Sequence, residues 1–109
     1  MTLELERALD ALAMRQRAVS NNVANINTPN FKRSDVDFFG YMRDVFNGQP
    51  ATPQVALDQV SAERLDGNNV TLEQEVFALQ QTEVLYQAAG KFTTDELKRL
   101  SYAITDGRG

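Results

Sequence analysis

Apolar positions recur in steps of three and four along the first part of the chain. Leu5, Leu9, Leu12, Val19, Val23 and Ile26 fall on one line, with Gln16 as its single polar member. This spacing predicts an amphipathic helix carrying a narrow heptad stripe. Thr2 can cap its start, and Glu4 and Glu6 sit in the first turn, where the helix dipole favours negative charge. Pro29 disfavours helical geometry at Thr28, and Asn25 and Asn27 suit a fraying end, so the helix should stop near Ala24 to Ile26. So narrow a stripe makes no core alone, and the helix needs a partner in this chain or in another.

A second pattern runs from Ser34 to Phe46. With Ser34 as N-cap, Phe38, Phe39, Met42, Val45 and Phe46 share one helical face, while Gly40 weakens that helix by about 1 kcal/mol relative to alanine. Turn signals then crowd the chain from Asn47 to Asn69: Asn47-Gly48, Pro50, Pro53 and Asp66-Gly67. Val55, Leu57 and Val60 allow one or two short extended pieces, and both a hairpin and a mobile loop fit this connector.

Thr71 and Gln74 match a capping box, followed by a seam of Leu72, Val76 and Leu79, an interruption at Glu83, Gly90 and Thr93, and a resumption at Leu97, Leu100 and Ile104. The resumed positions keep the register of Leu79, which predicts one helix continuous through Gly90, on the order of 50 Å long, with Gly107 as its stop. The expected fold is therefore mainly α and elongated. Its N- and C-terminal helices pair as an antiparallel coiled-coil-like hairpin across a short irregular or small β connector. The expected segments are 1–30, a helix and Asn/Pro turn; 31–69, a connector with a short helix; and 70–109, a long helix, all in one structural unit.

Composition narrows the chemistry. Among 109 residues there is no His, Cys or Trp, which removes the commonest general base, the thiolate nucleophile and the softest metal ligands. Asp35, Asp37 and Asp44 lack the further oxygen donors and glycine-containing loop of a calcium site and read as a capped, solvated helix start. Ser20, Ser34, Ser61 and Ser101 have no His partner and no nucleophile elbow. Neither an enzyme nor a cofactor is expected. The net charge of -4 provides no positive field for nucleic acid or an anionic membrane surface, and nothing points to a small-molecule substrate. Glu4, Glu6, Arg7, Asp10, Arg15 and Arg17 interrupt the N-terminal stretch, so a cleaved signal peptide and a membrane span are not expected.

The most unusual feature is the amide-rich run from Ser20 to Lys32, with Asn21, Asn22, Asn25, Asn27 and Asn30 close together at a helix end. A helix terminus entering a proline turn accounts for Pro29 but leaves several amides unexplained, and amides are useful between packed chains, where each can satisfy neighbouring backbone groups at an interface. This run resembles the N-terminal signature of the bacterial flagellar rod, hook and hook-associated axial proteins, in which a helix ends in an Ala-Asn-x-x-Thr-Pro-x-aromatic-Lys turn. Here the matching residues are Ala24, Asn25, Thr28, Pro29, Phe31 and Lys32. Gly67-Asn68-Asn69-Val70, then Leu72, Glu75, Val76 and Tyr86-Gln87-Ala88, resemble the C-terminal helix of the same family. The brief connector is similar to those of the short proximal rod members. Gly67-Asn68-Asn69-Val70 and Lys91-Phe92 match one short type, and the Tyr-Pro connector of the other is absent.

The resemblance implies a structural subunit whose terminal helices assemble with further copies and with other rod and basal-body proteins into a helical tube that transmits torque from motor to hook. It also implies synthesis in the cytoplasm, export by the flagellar type III apparatus without peptide cleavage, and a location in the basal body spanning the periplasm. On this reading Leu5, Leu9, Leu12, Val19, Val23, Leu72, Val76, Leu79, Leu97, Leu100 and Ile104 carry assembly, and Asn22, Asn25, Thr28 and Pro29 shape the junction turn. Residues before about Asn30 and the last part of the chain are expected to be mobile until neighbours cover them. The rival reading from the same seams is a soluble helical adaptor or export-chaperone-like binding module.

Overall fold

The structure, a computed structural model, describes residues 3–107, and within the last helix the side chains at 97, 100, 104 and 106 lie outside the described set. The elements are α1 (Leu3–Ala24), β1 (Ser34–Val36), α2 (Phe38–Phe46), β2 (Val55–Leu57) and α3 (Leu72–Gly107). The molecule is mainly helical with one small antiparallel sheet. It measures 70 × 27 × 14 Å, and its radius of gyration of 18.3 Å exceeds the roughly 13 Å of a compact chain of this length. Elongation follows from α3, whose 36 residues extend about 54 Å at 1.5 Å each.

The first helix ends at Ala24 as the Asn/Pro signal requires, but its buried line differs from the apolar stripe. Ala11, Leu12, Arg15, Ala18, Val19 and Asn22 are buried, whereas Gln16 and Val23 face solvent and Leu5, Leu9 and Ile26 are half-buried. The long helix shows the same offset: Glu75, Ala78, Thr82 and Ala89 are buried, while Leu72, Val76 and Leu79 are exposed. The buried lines of the two helices are therefore dominated by small and polar residues, with Leu12 and Val19 the larger apolar side chains on α1. Their contacts run in opposite order, Asn22 reaching Glu75 and Arg15 reaching Gln81. A Thr82 hydroxyl inside this contact is satisfied by the Ala78 carbonyl at 2.7 Å.

The prediction for the middle segment needs correction. Ser34 is not an N-cap: Ser34–Val36 is a strand that pairs antiparallel with Val55–Leu57, in the register Ser34 with Leu57, Asp35 with Ala56 and Val36 with Val55. The helix starts three residues later, capped by Asp37, whose carboxylate accepts the Gly40 N–H at 3.0 Å. Gly40 is not a misfit here, because a Cβ at that position would sit 2.2 Å from the capping carboxylate. Capping at Asp37 turns the helix so that Phe38, Tyr41, Met42 and Val45 are buried, while Phe39 and Phe46 are exposed. Phe39 stacks edge-on against Phe38, with centroids 5.5 Å apart. The helix closes on Ala11 and Leu12 of α1, with Leu85 and Tyr86 of α3 packed at the margin, to form the apolar core. The start of α3 matches its expectation: the Gln74 N–H reaches the Thr71 hydroxyl at 3.4 Å, and the helix passes Gly90 unbroken.

Candidate assembly site

A polar joint sits where the end of α1, the connector and the start of α3 converge. Its centre is Arg33, 3% exposed, which donates Nε to Glu75 Oε1 at 2.6 Å, Nη1 to Asp58 Oδ2 at 3.1 Å and Nη2 to Asp35 Oδ2 at 3.4 Å. Glu75 is fully buried and accepts a second bond from the Asn22 amide at 2.9 Å. Arg15 donates to the same Asp35 at 3.0 Å and to Gln81 at 2.7 Å. Burial works to lower the pKa of Arg33, but its bonds to Glu75 and Asp58 outweigh burial and hold it above the ordinary guanidinium value. Hydrogen bonds from the Ser61 hydroxyl and Ser61 N–H hold the Asp58 carboxyl well below the usual carboxylate range, helped by Val60 N–H and Arg33 against the effect of burial. Every buried side-chain nitrogen and oxygen among the described residues has a partner, the condition under which a buried ionic network is tolerated.

Three amides finish the joint. Asn22 acts as a miniature strand on the outer edge of β1, donating to Ser34 C=O at 2.8 Å and accepting from Ser34 N–H at 2.9 Å. Asn69 bridges Arg33 N–H and Asp58 C=O, each at 2.7 Å. Asn68 ties down the turn after α1 from 43 residues away, donating to the carbonyls of Asn25 at 2.9 Å, Ile26 at 3.2 Å and Thr28 at 2.8 Å. Arg64 donates to the same Ile26 carbonyl and, at 2.7 Å, to Val70 C=O. These bonds satisfy carbonyls of the turn after α1 and of Val70, while the late carbonyls of the helix itself, Asn21, Asn22 and Val23, are taken by the N–H groups of Asn25 and Ile26. Gly67 and Asn30 lock together in left-handed conformations, φ 82° and 63°, with Asn30 N–H bonded to Asp66 C=O at 2.8 Å.

The four proposed junction residues occupy this region unequally. Asn22 is buried in the joint, Asn25 bonds back to Asn21 C=O at 2.8 Å and accepts from the Thr28 hydroxyl at 3.2 Å, and Pro29 is exposed in the turn. Arg33, Glu75, Asn68 and Asn69 were missed by the periodicity, which has no way to mark a buried charge. The amide pair after Asp66-Gly67 was the available signal.

Of the seam residues, Leu12 and Val19 are buried inside the chain, while Leu5 and Leu9 are half-buried. Val23, Leu72, Val76 and Leu79 keep 41–57% of their surface in solvent. Leu97, Leu100 and Ile104 fall on side chains outside the described set. At 100° per residue, Leu5, Leu9 and Val23 lie about a quarter-turn to one side of the buried line of α1, and Leu72, Val76 and Leu79 are offset in the same sense on α3. In an antiparallel pair these offsets fall on one common side. The connector occupies the other: Leu3 and Arg7 of α1 line a groove with Val45 and Gly48 to Ala51, and Arg15 and Gln81 line another with β1 and β2. Among the described residues, one flank of the two-helix pair is thus covered, and the opposite, apolar flank leaves Val23, Leu72, Val76 and Leu79 exposed. Among the described residues no helix is long and apolar enough to cross a membrane, and no group of three or more His, Cys, Asp or Glu could hold a metal ion.

Comparison with known proteins identifies the family of the chain. Residues 5–32, α1 and its amide turn, match the family model described as flagella basal body rod protein. Over 104 aligned residues the chain is 33% identical to the flagellar basal body rod protein FlgB of Borreliella burgdorferi, covering 73% of this chain and 77% of that protein. The chain belongs to the FlgB family of flagellar basal body rod proteins. Other FlgB proteins align over nearly the full length: that of Borrelia hermsii is 29% identical, covering 95% of this chain and 96% of the relative, and that of Bacillus subtilis is 26% identical, covering 95% and 92%. Membership in the FlgB family makes the protein a structural subunit of the flagellar basal body rod, located there with other rod components. It favours that role over the adaptor reading.

Proposed function

We propose that this FlgB-family chain builds the proximal rod through the bare flank of its helix pair. The observation that carries the proposal is the division of labour in the helices. Small and polar residues dominate the contact within the chain, and Leu5, Leu9, Val23, Leu72, Val76 and Leu79 remain on one outer side for neighbours. Leu12 and Val19 support that side from within, and Leu97, Leu100 and Ile104 continue the assembly seam by their sequence register. The helices act as an antiparallel coiled-coil-like hairpin, with Asn22, Asn25, Thr28 and Pro29 setting its junction, and the segments 1–30, 31–69 and 70–109 work as one structural unit. An apolar flank that meets a different patch on the next subunit gives an open helical tube, whereas a self-complementary contact would close as a dimer. Such a tube transmits torque from motor to hook across the periplasm, after export by the flagellar type III apparatus without a cleaved peptide.

Packing narrows which parts await neighbours. The stretch from Ala11 to Asn22 is held by α3 and the connector, whereas the pairing of Asn22 with Glu75 and of Arg15 with Gln81 sets Leu3 opposite about residue 94, beyond which α3 extends past α1 and Tyr102 is exposed. In the isolated subunit the first turns of α1 and the distal part of α3 are mobile and order on assembly. Deleting the gene and complementing it with a tagged copy tests the function. The tagged protein should purify with basal bodies, and the deletion should be non-motile and lack rods. Complete basal bodies in the deletion strain, with the tagged protein confined to the soluble cell fraction, would restore the adaptor reading.

A further inference from the structure

The two edges of the small sheet are treated differently. Ser34 turns both backbone groups outward from β2, where the Asn22 amide takes them. In an antiparallel ladder the bonded and non-bonded pairs alternate, so Asp35 with Ala56 is the bonded pair, and Val55 and Leu57 direct their N–H and C=O groups away from β1. Among the described residues that second edge has no counterpart of Asn22: Val55 and Leu57 are 52% and 61% exposed, and Ala56 between them is also exposed. The edge is only three residues long but carries no charge and no proline of its own, two of the devices that ordinarily discourage strand pairing. Beside it opens a groove of about 410 Å³, lined in part by Ala56, Leu57, Phe39, Asp35, Asp37 and Asp58.

We propose that the outer edge of β2 accepts an extended segment of a partner chain, with a basic residue opposite Ala56 and apolar residues opposite Val55 and Leu57. Backbone groups at Val55 and Leu57 would bond the added strand, the mode by which extended peptides join an open sheet edge. Side chains alternate between faces, so the partner residue opposite Ala56 projects to the face of Asp35 and Ala56, which borders the groove. The charge of the groove selects that residue. Arg15 and Arg33 line it too, but their guanidinium groups are committed to Asp35, Asp58, Glu75 and Gln81. Three aspartates against two arginines leave the lining one unit negative. A lysine or arginine can lay its aliphatic stem on Phe39 and bring its charge to this excess. The partner residues opposite Val55 and Leu57 would cover those side chains on the other face. The connector is then a second docking element, separate from the bare helical flank.

The test is photo-crosslinking in motile cells from a benzophenone amino acid replacing Gln54, an exposed position beside β2, with the crosslinked peptide sequenced by mass spectrometry. The expected product joins Gln54 to an extended partner segment with a Lys or Arg between apolar residues. Leu57→Pro removes an outward N–H without touching the bonds to β1 and should lower the yield at least about tenfold, the loss expected from one or two edge hydrogen bonds. Ala56→Lys, which leaves the backbone intact and repels a cation, should lower it comparably, and Leu57→Thr should preserve it. Crosslinks that persist in both weakened variants, join only a second copy of this chain, reach a helix, or never form would overturn the proposal. Basal bodies counted in the same cells separate the two readings: intact incorporation without the crosslink defeats only strand docking, and absence of the wild-type protein from basal bodies defeats the rod reading.

Discussion

Replacing Glu75 by Gln changes one atom in the fully buried centre of the joint, and its cost can be worked from the bonds. The carboxylate accepts from Arg33 Nε at 2.6 Å and from Asn22 Nδ2 at 2.9 Å. An amide offers one accepting oxygen and one donating nitrogen, so in either orientation one of the two donors faces another donor. A buried donor left unsatisfied costs about 1–3 kcal/mol, and breaking a buried ion pair about 3–5 kcal/mol. Arg33 keeps Asp58 and Asp35, which places Glu75→Gln at about 2–4 kcal/mol, or roughly 10–20 °C in melting temperature for a domain of this size. Circular dichroism melts of the purified protein measure this directly. Glu73→Gln, an exposed neighbour in the same helical turn, is the control and should change stability by no more than about 0.5 kcal/mol. Indistinguishable melts for Glu75→Gln and wild type would refute the view that the joint holds the helices and connector together.

Other outcomes follow from the same geometry. Gly67→Ala should destabilise by about 1–3 kcal/mol, because φ is 82° and a Cβ would lie 2.2 Å from Asn30 Oδ1; Gly48→Ala, with φ 72° and open space around its Cβ, should cost less in parallel urea titrations. Asp58 has a native pKa below its unfolded value of about 3.9, so the unfolded state binds more protons in that interval and its contribution is complete above about pH 4. Wild type should lose stability as the pH falls below that point, and Asp58→Asn should flatten the loss in melts across an acid series. Hydrogen exchange of a dilute monomer should show slower amides in Ala11 to Asn22 than in Phe92 to Thr105; equal protection would contradict the assignment of the mobile end.

How much of this was legible in the sequence depends on the kind of interaction. The long helices and their ends were readable because Thr71, Ala24 and Pro29 act over a few residues. Their facing was not. Leu72, Val76 and Leu79 form the most apolar line of α3, yet the chain buries Glu75, Ala78 and Thr82, because intrachain contact favours small side chains and a satisfied polar network over apolar area. Val55 and Leu57 were readable as a short extended piece, but their partner Ser34–Val36 escaped notice, because three-residue segments about 20 residues apart gain their stability from pairing with each other and from Asn22, neither of which leaves a local period. The same long-range pairing moved the cap of α2 from Ser34 to Asp37. Arg33 and Glu75 look like ordinary surface charges until the fold brings Asp58, Asp35 and Asn22 around them.

The central claim is that the bare flank, and not the contact within the chain, builds the rod. The direct measurement is the amount of a Val76→Asp, Leu79→Asp double variant in basal bodies purified from a complemented deletion strain, beside the melting temperature of the purified protein. Both positions are exposed in the monomer, so the variant should melt close to wild type, be absent from basal bodies and leave the cells without rods. Incorporation at the wild-type level with normal motility would contradict the account.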